Sequence, residues 1–134
     1  TDTDQAQINF GSTGSPATTR DFIFSSPWAS GTATNLDIWI YQTVGSGNIK
    51  FTAKIGCIND GDSGIDFTYN ASSSTTVASP ASGVVKKITI SSIATSGSST
   101  CSVGSNAMVK LERDNSVGTN MAGTAVLMRA RLYQ

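Results

Sequence analysis

Apolar and polar residues alternate along much of this 134-residue chain, and a period of two is the spacing at which successive side chains of a β-strand fall on opposite faces. The alternation is clearest in NIKFTAKIGCI, where Ile49, Phe51, Ala53, Ile55 and Cys57 share one face and Asn48, Lys50, Thr52 and Lys54 the other. That predicts a half-buried strand. The preceding NLDIWIYQT sets Leu36, Ile38 and Ile40 against Asp37, Trp39 and Tyr41, and the Gly-rich TVGSGN between the two stretches reads as a hairpin connection. VVKKITISSI alternates Ile88 and Ile90 with Lys87 and Thr89, and NAMVKLERD alternates Val109 and Leu111 with Lys110 and Glu112. The final TAVLMRARLYQ sets Val126, Met128, Ala130 and Leu132 against Leu127, Arg129, Arg131 and Tyr133, and forms a hairpin with the strand before it across NSVGTNMAG. Shorter strands are expected around Phe22 and Phe24 in DFIF and in IDFTYN.

No stretch of ten or more residues shows the helical period. Short strands separated by Gly, Ser and Asn turns predict an all-β chain, an antiparallel sandwich or barrel. Residues 1–20 stand apart: TDTDQAQINFGSTGSPATTR is polar and Gly-rich, with Ile8 and Phe10 as its apolar anchors. It reads as an N-terminal arm that orders against a partner surface, leaving residues 21–134 as the domain. Deleting the arm is then expected to leave the sandwich folded. ASSSTTVASPASG is a low-complexity connection between two strands, and no internal repeat at a solenoid period is found.

The length suits one domain with a proper core. Nine Lys plus Arg against nine Asp plus Glu give a formal charge of zero, which removes the broad attraction that nucleic acid or an anionic membrane requires. Neither partner is expected. Charged residues are 13% of the chain while there are 20 Ser and 17 Thr, a polar but weakly charged composition of the kind found in secreted, cell-surface and virion proteins. There is no run of 18 apolar residues and no basic-then-apolar leader, so no membrane-spanning segment is predicted. The chain opens on Thr1, and removal of an initiator Met or of a longer leader is the expectation. Cys57 and Cys101 are enough for one bridge in an oxidising compartment, but a single pair is not a disulfide scaffold. The expectation is free thiols, with the bridge as the alternative.

The chain contains no His. That removes the usual general base near neutral pH, the commonest transition-metal ligand and the usual Ser or Cys triad. Glu112 and Asp114 are two apart, so on a strand they share a face, and paired carboxylates are the chemistry of a glycosidase. Arg113 points the other way. The competing reading is a solvent-facing strand end entering a turn; it is adopted here, no catalytic residue is assigned, and exchanging either carboxylate for its amide should cost at most about half a kcal/mol. NDGDSGID places Asp60, Asp62 and Asp66 around two glycines, resembling the first half of a calcium loop, but the twelfth position is Ala71 rather than Glu. Calcium at these three residues is the one candidate cofactor, set against a plain acidic turn. Trp28, Trp39 and Tyr41 are candidates for a sugar-stacking platform, set against core or subunit-interface packing.

The succession of strands, and above all VKLERDNSVGTNMAGTAVLMRARLYQ at the end, resembles a β-sandwich domain that recurs in tailed-phage virion proteins. Its members close with a strand carrying Arg-Asp, a short turn rich in Asp, Asn, Gly and Thr, an Ala-containing entry, and a last strand rich in Leu, Val and Arg that ends on an aromatic. The matching positions are Arg113, Asp114, Thr119, Ala122, Ala125, Leu127, Arg129 and Tyr133. The resemblance covers roughly residues 21–134 and departs at the Ser-rich stretch from Ser96 to Cys101, where relatives have a tighter turn. It implies a jelly-roll module of a capsid decoration or fibre protein at the virion surface, without an active site, homo-oligomeric with a trimer favoured, and in contact with other virion proteins such as the major capsid protein. Subunit or partner contacts are then expected at Ile8 and Phe10 of the arm and at Leu127, Arg129 and Tyr133 of the last strand. The alternatives are a secreted carbohydrate-binding module using Trp28, Trp39 or Tyr41, and a subunit of an extracellular filament in which the arm adds a strand to its neighbour.

Overall fold

The alternation that marks the strands also builds the core. A computed structural model describes residues 8–10, 19–27, 33–42, 46–62 and 68–134, and among them there is no helix. Eight strands follow in order: β1 (Ile8–Phe10), β2 (Thr19–Pro27), β3 (Thr34–Gln42), β4 (Asn48–Ile58), β5 (Ser73–Ala78), β6 (Lys86–Ile93), β7 (Val103–Asp114) and β8 (Ala125–Tyr133). They form two four-stranded sheets, β1-β8-β3-β6 (sheet A) and β2-β7-β4-β5 (sheet B), with every pair antiparallel. β1 pairs with β8, β2 with β7, β3 with β6 and β4 with β5, as in one long hairpin rolled up on itself, while β3–β8 and β4–β7 close the two sheets. This is the strand order of an eight-stranded jelly roll. The inward faces of β3, β4, β6 and β7 meet between the sheets, with Leu36, Ile38, Ile40, Phe51, Ile55, Ile88, Ile90, Val109 and Leu111 all buried.

The expected β3–β4 and β7–β8 hairpins do not form, because β3 and β8 lie in sheet A and β4 and β7 in sheet B, so each connection crosses between the sheets; four further expectations require correction. First, β5 lies inside the low-complexity stretch that read as a connection. Its inward positions, opposite Ala53, Phe51 and Ile49, are Ser73, Thr75 and Val77, so two hydroxyls stand where a core strand would carry apolar groups. They are used: Ser73 Oγ donates to the Ser91 carbonyl at 2.7 Å and Thr75 Oγ1 to the Thr89 carbonyl at 3.0 Å, stitching β5 to β6 where the edges of the two sheets meet. The strand expected in IDFTYN is not seen at Thr68–Asn70, and its earlier part lies outside the described residues.

Second, the arm supplies β1. Phe10 is fully buried and meets Phe51 edge to face, with ring centroids 5.4 Å apart; it is core and not an anchor held for a partner. Ile8 pairs with Leu127 in the same ladder. Deleting residues 1–20 therefore removes part of the sandwich itself. Third, Leu127 is buried rather than outward. Trp39 pairs with Arg129 but Ile40 pairs with Leu127, so Met128 is an extra residue on β8. Such a bulge shifts the alternation by one, turning Ala125 and Leu127 inward ahead of it while Arg129, Arg131 and Tyr133 stay outward. Met128 itself is 39% exposed.

Fourth, Cys57 and Cys101 are joined by a disulfide and no cysteine is left free. Cys57 faces the core from the end of β4, and Cys101 is buried in the segment before β7. The Ser-rich departure around Ser96–Cys101 is pinned at the same place, because Ser99 Oγ accepts from the Cys57 amide and the Ser99 amide donates to Asn70 Oδ1.

The bridge closes a loop of 44 residues, and chain-entropy reasoning gives it about 4 kcal/mol against the unfolded state. Urea unfolding of the Cys57→Ala/Cys101→Ala double variant should show a loss approaching that size. An unchanged midpoint would show that the bridge does not constrain the folded chain.

Candidate functional site

The strongest chemistry in the sequence, Glu112-Arg113-Asp114, lies at the end of β7 and is divided by strand alternation. Arg113 points inward and is fully buried. Among the described residues no carboxylate meets it; its guanidinium donates to four oxygens, the carbonyls of Phe10 (3.1 Å), Gly123 (2.7 Å) and Met121 (2.5 Å) and Oδ1 of Asn120 (3.3 Å). Burial lowers its pKa, yet guanidinium stays charged throughout the accessible pH range. The acceptors belong to β1 and to the connection between β7 and β8, so Arg113 ties these segments to β7. The same connection is held from the other side by β4: the Asn48 amide donates to the Thr119 carbonyl at 2.8 Å and the Met121 amide to the Asn48 carbonyl at 2.9 Å. Gly47 permits the approach. A Cβ there would stand 2.3 Å from the Thr119 carbonyl oxygen, and the backbone has φ +124°.

Asp114 faces the other way and is bound to its surroundings. Lys50 Nζ lies 2.6 Å from its carboxylate, and Ser116 donates both its amide (2.8 Å) and its hydroxyl (2.5 Å) to Oδ1. This is the turn cap expected after a strand end. The Lys50 contact and the two Ser116 bonds hold the carboxyl down to about 2. A group so arranged is a fixed anion that closes a turn.

Asp60 and Asp62 follow β4 in an exposed turn. Asp62 Oδ2 accepts from the Asn59 amide at 2.7 Å and from its side chain at 3.3 Å. Asp66, the third calcium candidate, lies outside the described residues, and among those described no three acidic or other metal-ligating groups converge. Trp28 also lies outside them.

Trp39 and Tyr41 lie on the outer face of sheet A, and there the structure assembles a cluster that alternation along one strand does not reveal. β3 runs between β8 and β6, so Asp37 has Arg131 on one side and Thr89 on the other, and Trp39 has Arg129 and Lys87. The Asp37 side chain is completely covered although it sits on the outward face. Its carboxylate accepts from Thr89 Oγ1 at 2.6 Å, Arg131 Nη2 at 2.6 Å and Tyr133 OH at 3.3 Å, with Lys87 Nζ at 3.7 Å. Burial acts to raise its pKa, but the Thr89 and Arg131 bonds and the charges of Lys87 and Arg131 outweigh it, and the net shift is downward. Around this buried anion the guanidinium of Arg129 lies 4.9 Å from the Trp39 ring centroid, and that of Arg131 lies 5.8 Å from Trp39 and 4.8 Å from Tyr133. Of the contacts expected on the last strand, Arg129 and Tyr133 are on this face, Leu127 is beneath it in the core, and Phe10 is in the core beside it.

No family model, curated protein or solved structure matches the chain.

Arg113→Met keeps much of the side-chain volume and takes this donor from the buried carbonyls of Phe10 and Met121 and the part-buried one of Gly123, so it should lower stability by about 3 kcal/mol or more in urea unfolding. Arg113→Lys should recover little, since one ammonium cannot reach acceptors spread over a planar fork. A methionine variant as stable as the parent would remove the guanidinium from its structural role. Acid should act on Asp114. Its folded pKa lies below the unfolded value, so its contribution is complete above about pH 4 and is lost as pH falls toward 2. Because the side chain is 24% exposed, the contribution is discounted to about 1 kcal/mol, still larger than the half kcal/mol expected from a free strand end. Asp114→Asn should therefore be less stable than the parent at pH 7, with the gap closing near pH 2; a constant gap across that range would contradict the assignment.

Proposed function

We propose that this chain is a non-enzymatic structural subunit of a viral particle, an outer capsid decoration or fibre protein, whose contact surface is the outer face of sheet A. The observation that carries the reading is that face. It gathers Trp39, Tyr41, Tyr133, Arg129 and Arg131 on strands β3 and β8, and Trp, Tyr and Arg are the residue types that dominate binding energy at protein interfaces. Other features support it. The charged cluster that raised an enzymatic reading is divided between a buried cross-link and a turn cap, the chain contains no His, the strand order is that of the jelly-roll modules the sequence ending resembles, and the disulfide suits a protein that works outside a reducing compartment.

A secreted carbohydrate-binding module is the second reading, favoured by Trp39 and Tyr41 lying on one outward face. Against it, Arg129 already lies over the Trp39 ring, so a sugar would have to displace a cation–π contact before stacking.

The two readings separate by mass. A structural subunit should be a homo-oligomer, with a trimer expected, in native mass spectrometry of the purified chain. A monomer that binds immobilised glycans, and loses that binding in Trp39→Ala, would overturn the structural reading in favour of the carbohydrate one.

A further inference from the structure

We propose that copies of this chain associate head to tail, the acidic turn at the end of β4 (Asp60 and Asp62) of one copy seating on the cationic, aromatic outer face of sheet A of the next. The proposal rests on the reading of the chain as an assembling subunit and names the contact it uses.

Charge is the first argument. The outer face of sheet A carries Lys87, Arg129 and Arg131 against one carboxylate, Asp37, which Arg131 and Lys87 already share. Arg129 has no carboxylate partner among the described residues, and its guanidinium rests on Trp39 alone. Since the whole chain has a formal charge of zero, a face with an excess of cations must be balanced by acid elsewhere. Asp114 is taken by Lys50. Asp60 and Asp62 are exposed, and neither forms an ion pair among the described residues. Their turn is compact, closed by the Asp62 amide on the Asn59 carbonyl at 3.2 Å and by Gly61 at φ +87°, so the carboxylates are carried on a small protrusion.

Symmetry is the second. If two copies met face to face through sheet A, the patch of Lys87, Arg129 and Arg131 on one would meet the same cationic patch on the other, and like charges brought together across an interface are strongly unfavourable. The contact must then join two different surfaces, and a heterologous contact either closes into a ring or continues as a filament. Preorganisation is the third. Arg129 and Arg131 are held against Trp39 and Tyr133, so less side-chain freedom is lost when a carboxylate arrives.

Arg129 and Asp60 suit a charge-exchange test, because neither makes a bond on which the fold depends; equal urea midpoints for parent and variants would verify this. Sedimentation of the full chain should show that Arg129→Glu and Asp60→Lys each weaken self-association by at least about tenfold, and that the double variant regains most of it. Raising the salt should weaken the parent in the same direction. Single variants that associate like the parent, or a double variant no better than the singles, would overturn the head-to-tail contact while leaving an assembling subunit in place. A parent that stays monomeric at about 100 μM, a concentration that reports even weak contacts, would overturn the assembling-subunit reading and this proposal with it. If Arg129→Glu keeps self-association but abolishes capture of a sialylated glycan or of an acidic particle protein, the face belongs to that other acidic partner and the homotypic contact is wrong.

Discussion

A buried guanidinium that faces carbonyl oxygens and no carboxylate holds this sandwich closed at one end. Arg113 stands where three segments with incomplete ladders converge: the end of β7, the three-residue β1, and the Asn120–Gly123 part of the connection into β8. Backbone carbonyls removed from water need partners, and a short strand and a loop cannot supply each other with amides at every position. One planar fork can, through four bonds from its two terminal nitrogens. The cost is a charge taken from water without a counter-ion, which several charge-assisted bonds of good geometry offset. The consequence reaches the core, since the carbonyl that Arg113 holds is that of Phe10, whose ring caps Phe51.

What the sequence revealed follows the physics of each strand. β3, β4, β6 and β7 were legible because over most of each strand one face is apolar and the other polar; in β6 the period of two holds through Ile90 and breaks before Ile93. β5 was hidden, because its inward positions are filled by hydroxyls whose partners are carbonyls on another sheet; the pattern is there, but polarity does not display it. β1 is too short for any period. In β8 the period was visible and its phase was wrong ahead of Met128, since a bulge exists only in relation to a neighbouring strand. The cysteine pair needed the fold as well, because their Cα atoms come within 5.1 Å only after β4 and the segment before β7 are in place.

The candidate residues divide in the same way. That Asp37, Trp39 and Tyr41 share a face was readable within one strand. That Asp37 is covered by Arg131, Thr89, Tyr133 and Lys87 was not, because those residues lie on strands 50 to 96 positions away and become neighbours only in the order β8-β3-β6. Arg113 posed an open contradiction instead. Alternation placed it inward, its charge argued outward, and its Phe10 acceptor is 103 positions distant.

The two buried charges act differently on what surrounds them. Arg113 is consumed inside, leaving nothing of its charge for a partner. Asp37 draws cations onto an outward face, the one on which the proposed contacts rest. The edges bias them the same way. On one side, β5 and β6 are stitched together by Ser73 and Thr75 and by Lys86 donating to the Ala78 carbonyl, so little of that edge is left to template another strand. On the other, β1 pairs with β8 only at Ala125–Leu127 among the described residues, and the stretch beyond it begins at the bulge and carries Arg129 and Arg131. Bulges and edge cations are the features that discourage strand addition. Association by an added strand, the route a filament subunit would take through its arm, is thus opposed along β5 and β6 and along the part of β8 beyond β1, whereas contact through the face of sheet A meets anchors already held in position.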